Sequence, residues 1–293
     1  MLNKSSIRVL EKKDWPEGLL QIPQPPKKLY IEGVMPSTKD NKFLCVVGSR
    51  KYSSYGKEIC EQLIEGLRGY PIVIVSGLAN GIDSIAHNSA LRAGLTTVSL
   101  PGSGLSRKAL YPQTNKSLAD KIISAGGALL SQYEPDFNAM LHTFPERNRL
   151  MVALSQAVLI IEASQKSGTL ITARLATEYN KDVLTIPGSI YSKTSEGPHM
   201  LLKQGARLIT SAKDLLEALG FEQATDGQKM LELNYKSLTE EEKKLIKLIR
   251  EPIGKDELIR ISGRKPDEIN SLLCILELKG IIKEMFGEIH LSV

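Results

Sequence analysis

From Phe43 onward, short apolar runs bounded by glycine alternate with longer amphipathic stretches, and this alternation constrains the fold most. Runs rich in Val, Ile and Leu predict parallel strands that are buried on both faces. The predicted strands are 43–47, 72–76, 96–100, 128–132, 157–162, 183–186 and 207–210. The predicted helices are 54–67, 82–93, 115–124, 146–155, 169–180, 198–204 and 212–219. Repeated strand–helix units predict an α/β fold with a doubly wound, mostly parallel sheet.

Two further regions flank this alternation. Residues 1–42 are rich in proline, which resists helix interiors, and predict an extended lead-in with an edge strand at 28–31. We assign the sheet domain to 43–220 and an aperiodic linker to 221–234. The remaining residues, 235–293, predict three helices and a small hairpin around Phe286-Gly287, which together indicate a winged-helix domain.

Composition and charge narrow the class of protein. The chain is 42% hydrophobic and 24% charged, which is typical of globular proteins. It has no apolar run of the ~20 residues that a membrane helix needs and no signal-peptide core, so no membrane span is predicted. We interpret Cys45, Cys60 and Cys274 as small core residues in a reducing cytosol, which favours a cytoplasmic protein.

The positive charge is concentrated in the first part of the chain. Residues 1–234 carry 27 basic against 22 acidic side chains, whereas residues 235–293 carry 11 of each. Affinity for a polyanion is therefore expected in the first part. For the charge-balanced second part we predict a protein-contact or regulatory role instead of strong binding to duplex DNA.

Glycine and serine follow most of the predicted strands. In an open parallel sheet, ligands bind at the carboxyl ends of the strands, where small residues let the backbone approach and helix N-termini attract anions. These segments are 48–50, 76–81, 101–104, 167–169 and 187–189. They predict a rim that binds phosphates, with tight strand-to-helix turns as the alternative. The sequence contains no GxGxxG before the first helix and no P-loop, which disfavours classical NAD binding and P-loop ATPase activity.

Residues 144–149, Phe-Pro-Glu-Arg-Asn-Arg, combine an aromatic side chain with two arginines. An exposed Phe144 beside Arg147 and Arg149 fits base stacking with neutralisation of a nucleic-acid backbone. The alternative is a hydrophobic staple, with both arginines salt-bridged inside the sheet–helix layer. Arg50 follows the first strand and can bind a phosphate through its forked guanidinium, or pair with an acidic neighbour on the surface.

Three titratable residues are candidates for chemistry. Asp83 and His87 lie four residues apart, on one helix face, and could form an acid–base pair or half a metal site. We favour a structural hydrogen bond between them, because the sequence supplies no third ligand, no CxxC pair and no Cys/His cluster. Glu162, at the end of the fifth strand, is either a general base or a residue that orders its loop.

Taken together, these residues resemble the DNA-processing protein A family, DprA, also called Smf. The resemblance runs from about Trp15 to Leu219. Its matching segments are 15–19, 25–30, 47–50, 76–79, 81–83, 86–87, 102, 104, 111–112, 115, 144–149, 167–173, 186–189 and 205–206. It implies an extended Rossmann-like domain followed by a winged helix. It also implies a homodimer that binds single-stranded DNA, loads the RecA recombinase during natural transformation, and is not an enzyme.

The resemblance assigns roles to particular residues. The implied DNA contacts, together with those expected above, are Gly48, Ser49, Arg50, Lys116, Phe144, Arg147, Asn148, Arg149, Ser167, Gly168 and Thr169. The late-helix residues Leu201, Leu202 and Gln204 are candidates for dimer or RecA contacts. No cofactor and no metal are implied.

The chain also departs from the family pattern. Gln113 and Leu141 stand where some members carry lysine, which should weaken phosphate contacts and flatten the salt dependence of binding. Many members begin with a helical domain, and we expect this chain to begin at about where that domain ends.

A second hypothesis from a different class is a nucleotide hydrolase. Related Rossmann-like phosphoribohydrolases use a PGGxGTxxE loop, whose centre resembles Ser167-Gly168-Thr169. Because the acid of that motif has no counterpart after Thr169, Glu162 would have to replace it.

Overall fold

The structure, a computed structural model, describes residues 6–221, 238–246, 248–249, 253–278, 281–285 and 288–291. The chain divides into two units, Met1–Phe221 and Glu222–Val293. The predicted linker beyond Phe221, the first residues of the predicted winged helix, and Phe286-Gly287 all lie outside the described residues. Within the described ranges, no helix has the length and apolarity needed to cross a membrane.

The first unit alternates strands with helices. Its strands are β1 (Arg8–Val9), β2 (Tyr30–Gly33), β3 (Lys42–Val47), β4 (Ile72–Ser76), β5 (Thr96–Ser99), β6 (Ala128–Ser131), β7 (Ala157–Ile160), β8 (Asp182–Thr185) and β9 (Arg207–Leu208). Its α-helices are α1 (Glu17–Gln21), α2 (Ser54–Glu65), α3 (Ile82–Arg92), α4 (Lys116–Ser124), α5 (Thr143–Leu154), α6 (Thr169–Glu178), α7 (Glu196–Lys203) and α8 (Ala212–Ala218). Each predicted strand and helix between 43 and 220 has its counterpart, displaced by at most three residues at either end.

Among the described residues, nine strands form one sheet in the order β1-β2-β6-β5-β4-β3-β7-β8-β9. All neighbouring strands from β6 to β9 in this order are parallel, whereas β2 is antiparallel to both β1 and β6. The chain builds outward from β3 through β4, β5 and β6, then returns to the other side of β3 as β7. This confirms the predicted doubly wound, mostly parallel sheet and places its topological switch point between β3 and β7.

The central strand β3 shows why the sheet needs helices on both sides. Phe43, Cys45 and Val47 pack into the core on one face, and Leu44 and Val46 pack into the core on the other. Successive side chains of a strand point to opposite faces. A run with no polar residue therefore has to be covered twice, as its composition predicts.

The lead-in differs from the prediction. It is not simply extended, because Pro16 precedes the short helix α1. A strand does form near 28–31, but it is not an edge strand. This strand, β2, pairs on both sides, and β1, also in the lead-in, lies at that edge of the sheet. The helix in the lead-in is explained by its packing against a later part of the chain. Gly18 of α1 lies so close to the carbonyl of Ala153 that a side chain there would collide with it, so α1 packs directly against α5.

Helix α5 begins at Thr143, three residues before the predicted start at 146. Pro145 does not prevent this, because the first turn of a helix has no internal partner for its backbone N–H groups. The early start puts Phe144 in the first turn of the helix and not in a loop.

The described residues of the second unit form three helices and a small antiparallel sheet, and its assignment as a winged helix stays a prediction. Its helices are α9 (Glu240–Ile246), α10 (Lys255–Ser262) and α11 (Pro266–Leu278). Its strands β10 (Ile253–Gly254), β11 (Ile282–Met285) and β12 (Glu288–Leu291) form an antiparallel sheet in the order β10-β12-β11.

The second unit also corrects one prediction. Cys274 is exposed, whereas Cys45 and Cys60 are buried as expected. Its neighbour on α11, Leu273, is buried, and so is Leu276. Because each helical residue is rotated by about 100° from the last, Cys274 leaves the buried stripe that these two leucines occupy.

Candidate nucleic-acid interface

A groove of about 490 Å³ opens at the switch point, at the carboxyl ends of β3 and β7. Three segments line it: the residues after β3, the start of α5, and the residues that lead into α6. The sequence-predicted residues that it brings together are Gly48, Ser49, Arg50, Phe144, Arg147, Asn148, Ser167, Gly168 and Thr169. We refer to this cavity as the groove.

The Phe144 ring is held in a fixed position at the groove. The Arg50 guanidinium carbon lies 5.3 Å from the ring centroid, in cation–π range. The Tyr111 and Phe144 centroids are 5.7 Å apart, with the ring planes tilted by 58°. A Cβ on Gly102 would lie 2.6 Å from Phe144 Cδ1, so only glycine leaves room for the ring there. Phe144 is consequently half-buried, and not fully exposed as expected.

Arg147 is buried behind the same wall, at 5% exposure. It donates hydrogen bonds to the carbonyl of Gly77, at 2.5 Å, and to the carbonyl of Leu100. These two residues follow β4 and β5, so one guanidinium fixes two strand-end loops. Arg147 therefore lies inside the sheet–helix layer, which is the alternative prediction for both arginines. It also lines the groove.

Asp83 is the carboxylate whose charge acts most strongly on Arg147. It is buried at the groove, at the start of α3. Burial raises the pKa of Asp83, and the charge of Arg147, backbone hydrogen bonds at Ala79 and Gly77, and the charge of Arg50 partly oppose that rise. Asp83 and Arg147, both buried, thus interact electrostatically at the base of this wall.

The favoured hydrogen bond between Asp83 and His87 is wrong. His87 Nδ1 lies 2.7 Å from the Thr97 hydroxyl, and that hydroxyl donates its proton to the carbonyl of Ile74. The His87 ring therefore donates from Nδ1. Burial lowers the pKa of His87 to about 3. Helical spacing places Asp83 and His87 on one face, but β5 brings Thr97 into direct contact.

The opposite wall consists of small residues at the start of α6. The Ser167 hydroxyl accepts the backbone N–H of Thr169 at 3.2 Å and lies 3.0 Å from the Thr169 hydroxyl. A Cβ placed on Gly168 would have no atom within 4 Å. The N-terminus of a helix carries the positive end of the helix dipole, so the open space beside Gly168 favours an anion such as a phosphate.

Arg149 and Lys116 are not among the residues that line the groove. Arg149 donates to the carbonyl of Gln24, to the Gln132 side chain at 3.0 Å, and to the carbonyl of Glu146 at 3.1 Å. Two residues along a helix turn a side chain by about 200°, so Arg149 faces away from Arg147 and holds the lead-in. Lys116 begins α4.

Of the three late-helix candidates, Leu201 is 7% exposed and belongs to the core. It cannot serve as a surface contact. Leu202 is half-buried and Gln204 is exposed, so only these two remain accessible. The correction follows from α7 packing its apolar stripe against the sheet.

Glu162 does not line the groove. Its carboxylate accepts hydrogen bonds from the backbone N–H of Ser53 at 2.9 Å, the Ser53 hydroxyl at 2.6 Å and the Thr194 hydroxyl at 2.7 Å. Ser53 caps α2. These contacts favour the loop-ordering role of Glu162 over the role of a base. In the described part of the chain, no three His, Cys, Asp or Glu side chains converge as metal ligands.

The structure adds residues that the sequence did not assign to the site. Lys51 and Thr194 line the groove, and Tyr111 packs on Phe144. Lys51 could have been found, because it follows Arg50 directly. Thr194 carries no local signal, since only the return of the chain after β8 brings it to the groove.

Comparison with known proteins gives a consistent match over the first unit. The family model described as DNA recombination-mediator protein A matches residues 6–220. The chain is 39% identical to Protein Smf of Escherichia coli over 207 residues, which cover 71% of the chain and 54% of that protein. The chain thus spans about half of the Escherichia coli protein.

Two further relatives match over similar lengths. DNA processing protein DprA of Streptococcus pneumoniae is 41% identical over 71% of the chain and 72% of that protein. A solved structure of DNA processing protein A from Helicobacter pylori, described by its single-stranded DNA binding mode, is 33% identical with a TM-score of 0.63. That match covers 73% of the chain and 95% of the Helicobacter pylori chain.

Proposed function

The chain belongs to the DNA recombination-mediator protein A family, and from this membership we propose that it binds single-stranded DNA in the groove without cleaving it. The observation that carries the proposal is the pairing of a fixed aromatic ring with a helix N-terminus across one cavity. Single-stranded nucleic acid needs both, a platform on which bases stack and donors that follow the phosphates.

Each wall has a distinct role in this proposal. A base stacks on Phe144, while phosphates lie against Gly48, Ser49, Arg50 and the start of α6. Arg50 and Lys51 are exposed at the groove and supply the positive charge. Because these contacts are to stacking faces and phosphates, binding is largely independent of base sequence. The Helicobacter pylori relative, described by its single-stranded DNA binding mode, supports this assignment.

We extend the proposal to the use of the bound strand. As a family member, the chain would act as a homodimer that protects incoming DNA and delivers it to the RecA recombinase in natural transformation. Leu202 and Gln204 are the accessible residues of the candidate contact surface. Light scattering of the Leu202→Glu variant tests this surface: a shift from dimer to monomer supports it, and an unchanged mass contradicts it.

The central experiment measures binding of fluorescent oligo-dT by anisotropy. Loss of one stacking contact costs about 1–3 kcal/mol, so Phe144→Ala should weaken binding by roughly tenfold or more. Phe144→Leu, which keeps apolar volume but removes the ring, should lose nearly as much. Arg50→Ala should weaken binding and reduce the slope of log K against log salt by about 0.7, the value for one phosphate of a single strand.

Lys42→Ala is the matched control for charge. Lys42 begins β3 and Arg50 follows its end, so the two cations lie at opposite ends of this central strand. Lys42→Ala should leave the affinity and its salt slope unchanged. Unchanged affinity in both Phe144→Ala and Arg50→Ala would refute the groove as the DNA site.

The nucleotide-hydrolase hypothesis makes a different prediction. It requires Glu162 as the acid, and the three hydrogen bonds that Glu162 accepts support a structural role instead. Incubation with nucleoside monophosphates, followed by chromatography for free base, distinguishes the two hypotheses. Turnover that disappears in Glu162→Gln would favour the hydrolase, and we expect no turnover.

A further inference from the structure

A second cavity, of about 520 Å³, lies at the carboxyl ends of β7 and β8. It is lined by Ser53 and Tyr55 at the start of α2, by Glu162 after β7, and by residues 187–189, 192 and 195 of the loop after β8. The loop is held in place at two points. Gly188 lies against the Ser195 side chain, leaving no room for a Cβ, and the carbonyl of Gly188 is 3.0 Å from His199 Nε2. We refer to this cavity as the second cavity.

Two chain segments contribute residues to both the groove and the second cavity. In the segment from the end of β3 to the first turn of α2, Arg50 and Lys51 line the groove, and Ser53 and Tyr55 line the second cavity. The loop after β8 gives Thr194 to the groove and its neighbours 192 and 195 to the second cavity. A strand that leaves the groove past Thr194 therefore reaches the second cavity along the same rim.

The chemistry of the second cavity differs from that of the groove. In the described part of the chain, Glu162 is the only charged residue of its lining. A carboxylate repels phosphate, so an anion is disfavoured there. The remaining lining consists of hydroxyls, backbone and the Tyr55 ring, which suit an uncharged, flat, hydrogen-bonding group such as a nucleobase.

Two tyrosines make the region suited to stacking. The Tyr55 hydroxyl donates to the carbonyl of Pro187 at 2.8 Å, which fixes a ring that is 44% exposed. Tyr191, in the loop after β8, is 90% exposed, and its neighbour Ile190 is 78% exposed. An exposed tyrosine is a stacking partner that accepts any base.

We propose that the second cavity is a second base-binding subsite, in which Tyr55 of its lining, together with the exposed Tyr191 on the loop beside it, receives a base of the strand whose phosphates lie in the groove. The proposal deepens the function proposed above and rests on it. It assigns the two cavities different parts of one ligand: the groove binds phosphates and a base on Phe144, and the second cavity binds a further base away from phosphate.

The test uses the full chain and a length series of oligo-dT, from a dinucleotide to a dodecamer, measured by anisotropy. Tyr55→Leu and Tyr191→Ala should each weaken binding of the long oligomers by roughly tenfold, the cost of one lost stack, and leave the shortest binding oligomers unaffected. Tyr52→Ala is the matched control. Tyr52 lies three residues before Tyr55, just ahead of α2, has the same 44% exposure and lines neither cavity.

Each outcome decides between the two proposals. Unchanged affinity for long oligomers in both tyrosine variants, with Phe144→Ala still weakened, would overturn the second subsite and leave the groove in place. Equal losses at every length would place the tyrosines in the groove and overturn it as well. If the unchanged protein binds no oligo-dT of any length, both proposals fail. Tyr191 is almost fully exposed, so its variant tests binding without disturbing the fold.

Photocrosslinking supplies an independent readout. A single 5-iododeoxyuridine is moved along a long oligo-dT, and crosslinked peptides are identified by mass spectrometry. Crosslinks to Tyr55 or Tyr191 from positions at one end of the oligomer, with crosslinks to Phe144 from interior or opposite positions, support the subsite. Crosslinks that reach only Phe144 from every position would contradict it.

Discussion

The two walls of the groove are built in opposite ways. The wall at the start of α5, the fixed wall, holds Phe144 between Gly102, Tyr111 and Arg50, and stands on the buried Arg147. The wall at 167–169, the open wall, has small side chains, and Gly168 has no atom within 4 Å of its Cβ position. One wall is set by packing before any ligand arrives, and the other leaves space.

The contrast matches the two chemical parts of a polynucleotide. A base gains most from a ring that is already immobile, because the cost of ordering the ring has been met during folding. A phosphate on a flexible backbone needs donors with room for close approach, which small residues provide. Substitutions in each wall test whether the two walls differ in this way.

The largest difference should appear on removal of Arg147. Arg147→Met removes the charge that most opposes the raised pKa of Asp83 and leaves two buried loop carbonyls without a donor, so the free energy of unfolding should fall by about 3–5 kcal/mol. On the open wall, Ser167→Ala removes only a hydroxyl that accepts one N–H, and should cost about 1 kcal/mol or less. Urea unfolding monitored by circular dichroism measures both. Equal losses would mean that the fixed wall is not the more rigid one.

A second difference concerns pH. Burial lowers the pKa of His87 to about 3 from its usual 6.5, so between these values the unfolded chain binds the proton that the folded chain excludes. The stabilisation is therefore complete above about pH 6.5 and is lost as pH falls towards 3, by up to about 1.4 kcal/mol per pH unit.

The His87→Asn variant should lose this part of the acid sensitivity, measured as the slope of unfolding free energy against pH. The unchanged protein, measured over the same pH range, is the reference. A slope unchanged in His87→Asn would show that the buried layer beneath the fixed wall does not respond to pH in this way.

The smallest of the three effects compares two glycines. In Gly102→Ala the new methyl would meet Phe144 Cδ1 at 2.6 Å, so the ring must move, which should cost about 1–3 kcal/mol of stability and weaken oligo-dT binding. In Gly168→Ala the methyl enters open space at a backbone angle that alanine accepts, and stability should change by about 0.5 kcal/mol or less. Equal stability in the two variants would contradict the contrast between the walls.

Much of the sheet could be predicted because its signals are local. The run at 72–76 is apolar, short and bounded by turn residues, and it forms β4 with those same limits. Parallel strands share one edge for their carboxyl ends, so the rim segments at 48–50 and 167–169 could be placed together without knowledge of the strand order.

The orientation of α5 could not be read in the same way. Arg147 and Arg149 are identical residues two positions apart, and the sequence assigns both to the pocket. Which of them faces the groove depends on how α1 packs against α5 and on where the chain at Gln24 passes. These contacts join residues more than a hundred positions apart, and the pairing of β2 with β6 is of similarly long range.

The position of the groove beside β3 and β7 has a consequence for synthesis. Its lining extends along the chain from Val47 to Thr194, and a polypeptide leaves the ribosome from its amino end. A nascent chain that has produced Phe144 already carries the ring but not the opposite side of the cavity. The groove is therefore complete only once β7 and the loop after β8 have joined the earlier half of the sheet, late in synthesis of the first unit.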